Sequence, residues 1–221
     1  MKVEITIPTD LGEVTLKQYQ KFLKIAEGNE DSEFLHHKMV EIFRNTNLKI
    51  VPQIKYKDIL DITNVLTGMF NQEHKFVKTF KLGGVEFGFI PNLEDITSGE
   101  YMDLDNYIND LKDFHKAMAV MYRPINSKLL GKYTIEPYLG SDVYSELMKN
   151  APLNVVLGAR VFFYRLGNEL LKSTLTYLES NKEAMNILNN RNSGKGGDGI
   201  HHSMLLLKGM LEDLTKLPSF L

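Results

Sequence analysis

The sequence predicts a mainly α fold, a multi-helix bundle with one β-hairpin (about residues 76–90) and a short N-terminal strand. Three observations carry this. Apolar residues recur at helical spacing over most of the chain. "KFVKTFKLGGVEFGFIP" joins two β-rich runs through Gly83-Gly84, which supplies the positive φ angles that a two-residue primed turn needs. Alternating strand–helix units are lacking, which argues against a Rossmann-type or barrel enzyme.

Val3, Ile5 and Ile7 alternate with polar residues before Pro8 and read as the N-terminal strand. Thr15 and Gln18 have capping-box spacing, and Leu16, Tyr19, Phe22, Leu23 and Ala26 follow at helical spacing up to Gly28. A second helix is predicted over Asp31–Asn45 and a third over Tyr56–Phe70. After the hairpin, Thr97 and Glu100 form a second capping-box pair. They open a helical region that runs, with a break near Asn109, to Tyr122 and ends at Pro124. "GKYTIEPYLG" reads as an irregular or short extended connection, and Ser141 as the cap of a helix through Met148. Pro152 then starts a long helix to about Glu179. Gly158 and Gly167 within it imply close packing or a kink, because each weakens the helix by up to about 1 kcal/mol. A short helix over Lys182–Asn189 and a last helix over about Ile200–Leu217 flank the glycine-rich loop 191–199. Residues 1–221 read as a single domain. The hairpin marks off an N-terminal helical lobe (1–73) from a larger lobe (74–221).

Composition removes several function classes. The net charge of −2 does not provide the basic surface of a nucleic-acid binder. Cysteine is absent, which excludes disulfides, thiolate metal sites and cysteine nucleophiles. The N-terminus has no signal-peptide core, and the most apolar stretch is interrupted by Arg160 and Arg165, so no membrane span is expected.

Residues 92–113 hold seven acids (Glu94, Asp95, Glu100, Asp103, Asp105, Asp110 and Asp113) against Lys112. An EF-hand counted from Asp103 fails, because Tyr107 and Ile108 occupy the positions of a ligand and the invariant glycine. The acids read as a solvated face or as an electrostatic docking face for a basic partner. The candidate partner-binding residues are Glu94, Asp95, Glu100, Asp103, Asp105 and Asp110; no catalytic residue and no metal ligand is identified. The six histidines include no HExxH and no i,i+4 pair, and His115 reads as a hydrogen-bonded structural residue. "GKGGDG" matches GxGxxG in spacing but follows no strand, so it reads as a linker, and no cofactor is expected. Ten methionines, among them Met118, Met121, Met148, Met204 and Met210, fill a core or supply adaptable contact surfaces.

The segments "GGVEFGFIPNLEDITSGEYMDLDNYI", "HKAMAVMYRPI" and "LGARVFFYRLGNELLKSTLTYL" resemble small morphogenesis proteins of tailed bacteriophages. "VEITIP" leading through "GEVTLKQYQKFL" into two amphipathic helices is similar to the start of tail assembly chaperones and baseplate-hub assembly proteins. The resemblance implies a non-enzymatic protein of the host cytoplasm. Its partner would be a phage structural protein, the tape measure or another tail protein, with self-association into a homo-oligomer as a further expectation. A structural virion component of the tail, neck or baseplate is the alternative, and an enzyme with an acidic site the second alternative. No nucleic acid and no membrane are expected as partners.

Overall fold

The computed structural model describes residues 7–29, 32–44 and 51–180. Val3 and Ile5 of the expected first strand, the helices expected over 182–189 and 200–217, and the loop 191–199 lie outside these residues. Backbone packing divides the chain into two compact units, Met1–Ala159 and Arg160–Leu221.

The first unit begins with three helices. In α1 (Leu16–Ala26) the Thr15 hydroxyl accepts from the Gln18 N–H at 3.3 Å and the Gln18 side chain accepts from the Thr15 N–H at 2.9 Å, so the expected capping box is present. α2 (Glu33–Arg44) and α3 (Tyr56–Phe70) follow. Their apolar faces meet through aromatic pairs: Phe22 on Phe43 at 5.3 Å, Phe43 on Phe70 at 5.3 Å, and Tyr19 on Phe70 at 5.5 Å.

The expected hairpin forms from β1 (Thr79–Leu82) and β2 (Val85–Phe89), with Leu82 opposite Val85. Gly83 and Gly84 take φ of 59° and 82°, the left-handed values of a primed turn. The hairpin does not stand alone, however. The expectation of a helical bundle with one hairpin is corrected: among the described residues, seven helices accompany a four-stranded antiparallel sheet in the order β1-β2-β3-β4, a mixed α/β fold.

The added strands come from residues expected to be helix end and connection. The capping box of Thr97 and Glu100 opens α4 (Ser98–Tyr107), the chain breaks over 108–113, and α5 (Phe114–Met121) passes directly into β3 (Tyr122–Leu129). Pro124 therefore does not merely end a helix. It lies inside β3 opposite Phe87, takes part through its carbonyl, which accepts from the Glu136 N–H at 2.9 Å, and sits beside a bulge between Ile125 and Ser127, where a missing donor costs least. β4 (Lys132–Ile135) completes the sheet. Gly88 marks a close approach of side chains to the backbone. A Cβ there would come within 2.5 Å of the Tyr133 ring, whose hydroxyl donates to the Phe89 carbonyl at 2.8 Å.

α6 (Asp142–Met148) starts after Ser141, whose side chain makes no cap hydrogen bond. α7 (Leu153–Ser180) runs from the first unit into the second. In its first-unit portion, a Cβ on Gly158 would lie 2.2 Å from the Lys75 carbonyl oxygen, so close backbone packing explains this glycine.

Residues near the start of the first unit are zipped to residues near its end. Leu16 N–H donates to Ala151 O at 3.0 Å, Lys17 N–H to Lys149 O at 2.7 Å, and Leu153 N–H to Val14 O at 2.8 Å, around a bridge between Thr15 and Pro152.

Candidate functional site

The acidic segment is sorted by local geometry into an interior carboxylate and a surface. Glu100 occupies the third position of α4, where capping turns its side chain back toward Thr97: the Thr97 N–H and hydroxyl donate to Glu100 Oε2 at 2.6 and 2.7 Å. Its other oxygen takes Arg123 Nη1 at 2.5 Å, with both side chains buried. Burial pushes the Glu100 carboxyl up. The Thr97 bonds and the Arg123 charge together outweigh it and hold the group below the usual carboxylate range. Arg123 also donates toward the Val120 carbonyl at 3.5 Å, while its buried Nε has no hydrogen-bond partner.

Tyr138 completes this cluster. Its ring lies 5.5 Å from the Arg123 guanidinium and packs against Gly99, and its hydroxyl donates to Asp103. Burial and the Asp103 bond both push the Tyr138 hydroxyl well above the usual phenol range, so it remains a proton donor.

The remaining predicted acids lie outward or at the margin. Glu94 and Asp95 are exposed in a short turn over Leu93–Asp95, where Asp95 accepts from the Asn92 side chain at 2.6 Å. Asp105 is half-buried, and exposed Asp110 accepts from the Lys112 N–H at 2.8 Å, closing the turn before α5. The six predicted residues therefore do not form one uniform face, because Glu100 is drawn inside. Two apolar side chains of α4 and of the segment after β4 are exposed, Met102 at 60% and Leu139 at 81%. Leu139 follows Tyr138 and is thus held beside α4.

Arg123 and Tyr138 were not singled out by sequence reasoning. The one local signal for Glu100 was its capping-box position. Nothing local marked Arg123, which lies 23 residues farther along the chain.

His115 is buried, and the Gln20 amide joins its Nδ1 at 3.2 Å while also donating to the Leu111 and Lys112 carbonyls. Burial, followed by the Lys149 charge, pushes the imidazole below its usual range. Met118, Met121 and Met148 are fully buried, so these three fill the core rather than offer a contact surface. Met204 and Met210 lie outside the described residues.

Among the described residues, no group of three or more His, Asp or Glu side chains is placed to hold a metal ion, and no helix is long and apolar enough to cross a membrane. No family model, curated protein or solved structure matches the chain.

Proposed function

We propose that this chain is a non-enzymatic assembly protein of a tailed phage, a tail assembly chaperone that binds the tape measure or another tail protein in the host cytoplasm. The carrying observation is the surface of α4. Met102 on α4 and Leu139, the neighbour of Tyr138, are exposed to water, the same segment carries Glu94, Asp95 and Asp105, and the Glu100–Arg123–Tyr138 cluster fixes the helix in place. Exposed apolar side chains on an acidic segment suit a basic, amphipathic partner segment. The phage context rests on the resemblance of the segments quoted above. A non-enzymatic role is favoured by the engagement of the buried Glu100, Arg123 and His115 in structural pairs.

The test is a pull-down from infected cells with the partner identified by mass spectrometry. A tail protein should be recovered by the native chain and lost with a Met102→Lys/Asp105→Asn/Asp110→Asn variant of unchanged melting temperature. Asp103 is left intact in this variant because it anchors Tyr138. A chaperone should also be missing from finished particles. Recovery of no phage morphogenesis protein would remove the proposal.

A further inference from the structure

The tip of the β3–β4 hairpin presents two leucines to solvent, Leu129 at 75% and Leu130 at 94% exposure. The turn is the two-residue Leu130-Gly131, with φ of 49° and 76°. Among the described residues Leu130 is the one non-glycine with positive φ. Asparagine or glycine satisfies that position with less strain, so a bulky apolar side chain here is not explained by the turn itself. Lys128 and Lys132 flank the leucines. Lys128 pairs with Glu86 at 2.5 Å, and Lys81 lies opposite Glu86 on β1, so this end of the sheet carries three lysines against one glutamate.

The strand register fixes where this tip lies relative to α4. Both hairpin turns, Gly83-Gly84 and Leu130-Gly131, are at one end of the sheet. Phe89 pairs with Tyr122 at the other end, from which the chain leads to α4, and Tyr138 follows three residues after β4. An eight-residue strand spans roughly 26 Å, which separates the two poles. One pole is apolar and basic; the other is apolar and acidic.

We infer that the Leu129-Leu130 tip of one copy docks on the α4 surface of a second copy, against Met102 and Leu139, with its lysines facing the acids. The inference rests on the reading of α4 as a docking surface and names a partner for it. The two halves of the contact are different surfaces, so the association is heterologous. It propagates head to tail as a chain or closes as a ring, and one unoccupied α4 surface at a chain end remains for another protein.

The test is sedimentation analysis of the full chain across concentration and salt. The mass of the native protein should grow with concentration and fall with added salt. A tip variant, Leu129→Ser/Leu130→Asn, retains a residue that the turn accepts. A surface variant, Met102→Lys/Leu139→Lys, alters exposed positions only. Each alone should be monomeric, its dissociation constant raised at least about tenfold, as loss of a central contact does. Their equimolar mixture contains one intact tip and one intact surface and should give a dimer and nothing larger. A monomeric native protein at its highest soluble concentration would overturn the inference, as would a monomeric mixture of the folded variants. So would a native protein that stays monomeric but sediments with phosphatidylserine vesicles through the same leucines. Self-assembly without recovery of a phage tail protein would sink the proposed function and leave this inference standing. Recovery of a tail protein through α4 by a strictly monomeric chain would do the reverse.

Discussion

Arg123 Nη1 lies 2.5 Å from Glu100 Oε1, with side-chain exposures of 8% and 4%, and so joins the first residue pairs of β3 to the first turn of α4. The pair ties the sheet to the helix that carries the candidate docking surface.

Glu100→Gln retains an acceptor suited to the capping box but removes the charge that compensates Arg123. Loss of one partner of a buried pair is expected to cost about 3–5 kcal/mol, read as a lower urea midpoint. The double variant Glu100→Gln/Arg123→Met should recover part of that loss, because no uncompensated charge stays buried. The pair also sets an acid limit. The Glu100 carboxyl in the fold lies below its unfolded value of 4.5, so the unfolded chain takes up the proton first. Its contribution is complete above pH 4.5 and is lost as pH falls through the lower folded value. Between those limits the double variant should show a shallower stability–pH slope than the native chain.

Gly158→Ala reverses the ordinary helix preference. Alanine in place of an interior glycine normally stabilises a helix by about 1 kcal/mol, and Gly68→Ala in α3, where nothing lies within 4 Å, is expected to do so. At Gly158 the new methyl meets the Lys75 carbonyl, and the backbone cannot yield as a side chain does. A loss of about 3 kcal/mol is expected, visible as opposite shifts of melting temperature for the two alanine variants.

His115 should make stability fall in mild acid. Its folded pKa is lowered from 6.5, chiefly by burial, so between 6.5 and the folded value the unfolded chain binds the extra proton. Stability is full above 6.5 and declines as pH drops below it. A His115→Gln variant should flatten that part of the stability profile, and an NMR titration of the imidazole should place its midpoint below 6.5. A midpoint at or above 6.5 would show that burial does not hold the ring neutral.

Much of the fold was legible where one signal is local and chemically specific. Gly83-Gly84 announced its turn because few other residues take two positive φ angles, and Thr15/Gln18 and Thr97/Glu100 announced helix starts through side chains three residues apart. β3 was missed, and β4 was read as no more than an irregular or short extended connection, for physical reasons. Arg-Pro after an apolar helix resembles a stop, yet Pro124 is tolerated beside the bulge. "KYTI" is too short for its alternation to stand out, and its turn opens with leucine where a hairpin signal expects asparagine or glycine. The acids of 92–113 look alike as a charge run. What takes Glu100 inside is a cation supplied by a distant strand, and no spacing rule reveals that.

The hydrogen bonds between Val14–Lys17 and Lys149–Leu153 have a consequence for biosynthesis. A nascent chain emerging from the ribosome has Leu16 available long before Ala151 exists. At typical translation rates the interval is roughly 7–30 s. Throughout it, the opening helix has α2 and α3 to cover its aromatic side chains but lacks the backbone partners that seat its first turn. Truncated products that stop short of Pro152 would retain that deficit permanently.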